Sequence, residues 1–291
     1  MPRRADLSKT TLPRRQLGRA LRDARQEHNL TLEQVADVTG ISRATLSRIE
    51  LGQYEKVRDI EVDYLSRFYC LPDSRIKYLV FLAGKKSSKV VLYQDYQHAL
   101  LPGYKSYLEL ESFASEFRAH QQVVVPGLLQ TADYARAVGS RYQPTDPEAV
   151  DASVETRMQR AKMLTRRHRP LRAEFLIQEA VLYTLVGSGA IMRNQLFHIA
   201  DMSVRENVTV RVIPFAAGIP TGTLLTPYII LDFADAEPSI VYAEGVMGSV
   251  FFEEIEDIKR FCEIHETLRS SALEEQPSRD RIRKIARRYE K

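Results

Sequence analysis

Six residues between Ser42 and Arg48 carry the chemistry that stands out in this sequence: Ser42, Arg43, Ala44, Thr45, Ser47 and Arg48. The two guanidinium forks can each bond a pair of acceptors, the hydroxyls can donate or accept, and the alanine methyl offers a small apolar contact. That set suits the base edges and phosphates of double-stranded DNA. Leu46 and Ile49 interleave with it at helical spacing, so one face turns inward and leaves the polar set outside. Whether Arg43 and Arg48 read bases, clamp phosphates or are merely solvated is a question the sequence leaves open.

The elements that must position these residues are legible just upstream. Thr31-x-x-Gln34 is a capping box, and Leu32, Val35 and Ala36 share one face of the helix it opens. Gly40 stops that helix because glycine tolerates the positive φ of a sharp exit, Ile41 plugs the angle, and Ser42 can cap the next helix. Leu17, Ala20, Leu21 and Ala24 repeat at helical spacing before this unit. Ile60, Tyr64, Leu65 and Phe68, then Ile76, Leu79, Val80 and Ala83, do so after it. The expectation is a compact all-α bundle of five helices in about seventy residues.

From about Leu17 to Gly84 the chain resembles the helix-turn-helix domain of the Xre/Cro family of phage and bacterial repressors. The resemblance implies that Arg25 and Glu50 form a structural pair between the first helix and the end of the recognition helix. The position that in the family carries a polar phosphate contact is Leu32 here, so Thr31 or Gln34 is the candidate to supply it. With Arg14 and Arg15 from the preceding segment, these residues complete the candidate DNA-binding set.

Charge follows the same division. Residues 1–90 hold 18 lysines and arginines against 11 carboxylates (+7), and residues 91–291 hold 24 against 27 (−3). Arg3, Arg4, Lys9, Arg14 and Arg15 form a basic arm before the first helix, with the arm itself bounded at residues 1–14 and Arg15 at its edge; it either follows phosphates or enters a minor groove, or acts as a solubilising tail. No apolar run approaches the ~20 residues of a spanning helix, and the basic start is not followed by an apolar block, so neither a membrane segment nor a secretory signal is expected. Cys70 and Cys262 are the two cysteines and are read as small core residues of a reducing, cytoplasmic protein associated with the nucleoid.

A chain of 291 residues with 44% apolar content accommodates a small domain and a larger one. The helix-turn-helix domain is placed at 15–86, a linker at 87–104, a larger domain at 105–273 and a basic tail at 274–291. In the larger domain, Leu110, Phe113, Ala114 and Phe117 suggest a helical face, and Val123 to Val125 a strand-like run. Leu128 to Val138 reads as helix, and a long helix carries Val150, Val154, Met158, Ala161 and Leu164. Further strands are expected at Phe175 to Ile177, Val208 to Val212, Tyr228 to Phe233 and Ile240 to Ala243, with helices at Met192 to Met202 and Glu253 to Leu273. The fold class is therefore an all-α helix-turn-helix domain followed by a larger α+β domain with a small sheet packed by helices. Arg157, Arg160, Lys162, Arg166 and Arg167 are read as a solvated face or as inter-helix ion pairs. The tail cations, Arg279 to Arg288, fit a solvated helix, an interface element or a polyanion contact.

The phrases Val125 to Ala137, Glu155 to Leu164, Ile177 to Tyr183, Gln195 to Ser203 and Val208 to Gly218 resemble the C-terminal domain of actinobacterial regulators of the WhiJ type. This implies a transcription factor likened to an antitoxin, with a small partner protein encoded by an adjacent gene. It implies no reaction, metal or cofactor.

Beyond the helix-turn-helix domain the histidines, His98, His120, His168, His198 and His265, are scattered, and no metal-binding, nucleophile-elbow or phosphate-loop motif is present, so no enzyme is expected. Glu179 and Glu244 are not placed together by any pattern. Tyr183, Phe197, Phe215, Tyr228 and Tyr242 are the candidates to line a pocket for a small-molecule effector or partner, with Phe215 to Pro227 as a covering loop. Two readings follow. One is a homodimeric DNA-binding regulator whose large domain dimerises and receives a signal. The other is an interaction scaffold that chiefly holds a small partner protein, DNA binding being secondary.

Overall fold

The computed structural model describes residues 12–54, 57–84, 91–93, 104–142, 146–233, 238–245 and 248–290. The chain divides into two compact units, 1–89 and 90–291.

The first unit holds α1 (Leu12–Glu27), α2 (Leu32–Thr39), α3 (Arg43–Glu50), α4 (Asp59–Phe68) and α5 (Asp73–Gly84). Leu17 and Leu21 of α1, Val35 of α2, Leu46 and Ile49 of α3, and Val62 and Leu65 of α4 bury together in one core. Two expectations change here. Ile60 and Tyr64 are 72% and 47% exposed, and α4 turns Val62, Leu65 and the following Tyr69 inward instead. Cys70 is exposed, in a left-handed conformation just after α4, and is no core residue.

The second unit carries β1 (Val91–Tyr93), α6 (Tyr104–Phe113), β2 (Glu116–Gln121), α7 (Ala132–Tyr142), α8 (Pro147–Ala161), β3 (Arg172–Gln178), α9 (Glu179–Tyr183) and α10 (Gly189–Met202). It continues with β4 (Val208–Ile213), β5 (Tyr228–Asp232), β6 (Ile240–Gly245), β7 (Gly248–Phe252), α11 (Ile255–Ser271) and α12 (Glu275–Ala286). The strands form one sheet in the order β1-β7-β6-β5-β2-β3-β4. β2, β3 and β4 are parallel, each joined to the next through a helical crossover, while the pairs from β2 to β5 and onward are antiparallel. Buried Leu176, Ile213, Tyr228, Ile230 and Val241 face Phe261 and Leu268 of α11. On the opposite face Tyr107 of α6 stacks on Tyr242 with ring centroids 4.2 Å apart.

The helical unit followed by an α+β unit is the expected class, but several segments differ from their sequence reading. Residues 91–93, within the span expected as a linker, pair with β7. Phe117 lies in β2 and not on the preceding helix, which ends at Phe113; Val123 and Val124 form bends and Val125 is irregular, with Val123 60% exposed. The span expected as a basic tail is mostly α12, whose Ile282, Ile285 and Ala286 are buried. α12 also closes the outer edge of β4. Ser278 Oγ accepts from the amide of Val212 at 3.0 Å, and the amide of Leu273 donates to the Val212 carbonyl at 2.8 Å.

From β4 to β5 the chain must pass the carboxyl end of β3, because Tyr228 pairs with His120 at the far end of β2. The segment doing so, residues 214–227, is fastened at both ends. Glu179 accepts from the amide of Phe215 at 2.9 Å, and Gln122 Nε2 donates to the Leu225 carbonyl.

Candidate nucleic-acid interface

The turn between α2 and α3 follows from its residues. Thr31 Oγ1 accepts from the Gln34 amide at 3.2 Å while Gln34 Oε1 accepts from the Thr31 amide at 2.8 Å, so both side chains are engaged in the cap. Gly40 sits at φ 71° and its amide donates to the Ala36 carbonyl, closing α2 in a left-handed cap. Ser42 Oγ accepts from the Thr45 amide at 3.1 Å and starts α3. Ser42 and Thr45 are thus structural in the unbound chain, and their hydroxyls lie 2.9 Å apart.

What fixes α3 is its last turn. Arg25 Nε and Nη2 reach the two carboxylate oxygens of Glu50 at 2.7 and 2.8 Å, a bidentate pair with side chains only 13% and 8% exposed. Hydrogen bonding to Glu50, against the cost of burial, raises the guanidinium pKa further. Arg25 Nη1 also donates to the Leu30 carbonyl, and Arg22 donates to the Glu50 carbonyl at 3.0 Å. Gly18 lets α1 lie against this turn: a Cβ there would stand 2.3 Å from the Ile49 carbonyl oxygen and 2.7 Å from that of Glu50. The sequence pattern flagged the Arg25/Glu50 pair through family resemblance alone, and nothing local marked Gly18 or Arg22.

With its inner side anchored by Leu46 and Ile49, α3 leaves Arg43, Ala44 and Arg48 exposed, with Ser47 half-buried between them. Arg43 ion-pairs with Glu33 of α2 at 2.6 Å, both side chains more than half exposed. Such a pair contributes about 0–1 kcal/mol, so a phosphate or guanine can displace Glu33 with little loss. Arg48 Nε donates weakly, at 3.3 Å, to the Ala44 carbonyl of its own helix. Arg14 and Arg15, expected on the arm, instead lie in the first turns of α1, and the Arg14 guanidinium stands 5.6 Å over the Tyr54 ring. Arg3, Arg4 and Lys9 lie outside the described residues.

In the larger unit, two buried polar clusters stand on opposite faces of the sheet. Arg160 Nε and Nη2 of α8 reach both carboxylate oxygens of fully buried Glu111 at 2.6 and 2.7 Å; Nη2 also donates to the Tyr107 hydroxyl and Nη1 to that of Tyr104. Of the cations read as a basic face, Arg160 is thus an inter-helix clamp. On the other face His265, fully buried, bonds Glu174 through Nε2 at 3.1 Å and the Tyr228 hydroxyl through Nδ1 at 3.3 Å. Burial would lift the Glu174 pKa, but the hydrogen bond from His265 and the nearby Arg269 hold it below the ordinary carboxylate range. His120, against the same Tyr228 ring, is pushed down to about 4 by burial and by His265.

Residues 104–284 match the family described as a domain of unknown function, DUF5753, and residues 16–79 match a helix-turn-helix domain. The chain belongs to the DUF5753 family. No protein of curated function matches it. A solved structure of TrmBL2, an archaeal chromatin protein whose report describes a novel mode of DNA binding, aligns over 84% of this chain and 88% of its own. The identity is 11% and the TM-score 0.33, too low to mean a shared arrangement.

The DUF5753 domain does not bring the five candidate pocket aromatics together. Tyr228 pairs in register with Ala243, so Tyr242, one residue earlier, points to the opposite face of the sheet. Tyr228 meets Phe261 and His265 on the α11 side, Tyr242 stacks on Tyr107 on the other, and Phe197 lies on α10 beside the Arg193 guanidinium. Only Tyr183 and Phe215 meet, with centroids 6.0 Å apart. Glu179 and Glu244 likewise have separate partners: Arg281 for the first and the Tyr242 hydroxyl for the second. No described helix is long and apolar enough to cross a membrane.

Proposed function

We propose that this protein is a sequence-specific DNA-binding transcriptional regulator that inserts α3 into the major groove. The observation that carries the reading is the fixed presentation of α3: its last turn is clamped by Gly18, Arg22 and Arg25, while Arg43, Ala44 and Arg48 stand outward. The match of residues 16–79 to a helix-turn-helix domain supports it. A single helix reads only a few base pairs, so the protein acts as a homodimer on two half-sites about one helical turn, ~34 Å, apart. The DUF5753 domain, without catalytic chemistry of its own, dimerises and receives a signal from a small partner protein or ligand, in the manner of WhiJ-type, antitoxin-like regulators. The protein works in the cytoplasm on nucleoid DNA.

The test is selection of bound sites from randomised duplexes, followed by titration of wild type and Arg43→Ala. If Arg43 makes a bidentate guanine contact, the variant loses discrimination between selected and random DNA by about 1–3 kcal/mol. Equal loss on both DNAs makes Arg43 a phosphate contact, and failure to select any site at low salt overturns the reading. Sedimentation with and without the selected site tests the dimer, which a monomer in both conditions would exclude.

A further inference from the structure

One surface of the large domain is built against the usual economy of a soluble fold. Phe215 and Ile219, on the segment that follows β4, are 64% and 66% exposed, and Leu185, just after α9, is 62% exposed. Tyr183, 38% exposed, stacks on Phe215 and links the two segments. Large exposed side chains that stack on one another, as Tyr183 and Phe215 do, mark an interaction site more often than scattered ones.

Its border is cationic. The Arg288 guanidinium stands 5.7 Å over the Tyr183 ring, and Arg281 pairs at 2.7 Å with buried Glu179, whose second oxygen holds the Phe215 amide. Glu179 is thereby neutralised and hidden, so it presents no negative charge to a visitor. Of the six cations from Arg279 to Arg288, Arg279 and Arg283 turn to Ser203 and Asp201 and Arg281 to Glu179, while Lys284, Arg287 and Arg288 are exposed.

We infer that this face is a docking surface for an acidic, amphipathic segment of a partner protein. Two apolar side chains of that segment cover the Tyr183–Phe215 pair, and a carboxylate of it meets the exposed Arg288 guanidinium. The 6.0 Å between the rings is close to the spacing of side chains one helical turn apart, about 5–6 Å, so a helix presenting residues i and i+4 fits the pair. Exposed Leu185 and Ile219, two and four residues along the chain from Tyr183 and Phe215, favour a protein over a nucleic acid, whose phosphates gain nothing from aliphatic contact. The inference deepens the proposed receipt of a partner signal by naming its face and chemistry, and it does not depend on α3.

The experiment is selection of a displayed library of random 16-residue peptides on the full-length chain, with Phe215→Ser and Arg288→Glu as counter-baits. All the altered side chains are exposed, so an unchanged thermal midpoint certifies the fold. Expected are peptides rich in Asp and Glu with paired apolar residues at i and i+4, binding each variant at least tenfold more weakly than wild type. Enrichment of basic or uncharged peptides, no enrichment, or equal binding to the variants overturns the inference. So does loss of self-association in Phe215→Ser, which would make the occupant a second copy, or capture of the wild type by anionic lipid vesicles in a Phe215-dependent manner. Titration of the same variants with selected DNA keeps the two ideas apart: DNA binding without peptide recovery sinks only the docking surface, and the reverse sinks only the regulator.

Discussion

Gly18→Ala offers the sharpest test of how α3 is held. The added methyl would lie 2.3 Å from the carbonyl oxygen of Ile49, against the 3.4 Å of ordinary contact, so α1 and α3 must separate by about 1 Å. Because the obstructing atoms, the carbonyl oxygens of Ile49 and Glu50 and the Glu50 carbonyl carbon, are all main-chain, no rotamer change can relieve the clash. Overpacking of this kind costs about 1–3 kcal/mol, while alanine gains roughly 0.5–1 over glycine within a helix, leaving a net loss of up to about 2.5 kcal/mol. The same separation lengthens the Arg22 bond to the Glu50 carbonyl and disturbs the Arg25–Glu50 fork, so the reading helix tilts as well as loosens. Gly40→Ala is the matched control: nothing lies within 4 Å of its Cβ, and its cost of about 1–2 kcal/mol comes from φ 71° alone. Hydrogen exchange read by mass spectrometry localises the effect, since the chain has no tryptophan to report on this unit. Gly18→Ala should lower protection in α1 and α3 while leaving the DUF5753 domain unchanged, and should weaken DNA binding more than Gly40→Ala does. Wild-type protection and affinity in Gly18→Ala would refute the close-contact argument.

Three further outcomes are expected. Arg160→Met strands the fully buried Glu111 carboxylate and should destabilise the DUF5753 domain by about 3–5 kcal/mol in urea unfolding, whereas the double change with Glu111→Leu should recover much of the loss; a single variant as stable as wild type would count against the clamp. His120 stays neutral in the folded chain down to about 4 but takes a proton near 6.5 when unfolded, so the unfolded state binds more protons between those values. Stability should therefore be fully present above pH 6.5 and fall as pH drops toward 4, by up to about 3 kcal/mol, and His120→Gln should flatten that slope in melts across the range. Thr31→Ala removes one half of a reciprocal cap and should cost about 1 kcal/mol, visible as faster exchange in the first turn of α2.

Much of the candidate interface was legible because its determinants are local. The capping box at Thr31 and Gln34, the left-handed Gly40 and the cap at Ser42 lie within a dozen residues and act through the backbone nearest them. Long helices α8, α10 and α11 announced themselves by period. What could not be read depends on partners distant in the chain. Ile60 and Tyr64 repeat as regularly as Val62, Leu65 and Tyr69, and only the docking of α4 selects the second set. In α12 four cations mask two buried isoleucines, and Arg160 looks like its solvated neighbours until α6 supplies Glu111. The pocket failed on parity: a register that opposes Tyr228 to Ala243 sends Tyr242 through the sheet, and register is set by pairing across the fold.

The bonds from Leu273 and Ser278 to Val212 bear on how this protein can be cut. A fragment ending before α12 would bare the Val-Thr-Val-Arg-Val-Ile strand along its outer rim, a β-branched ribbon with idle amides and carbonyls ready to recruit a neighbour. Trimming the last eighteen residues as though they were a dispensable appendage should turn a soluble preparation into one that precipitates through strand-to-strand growth.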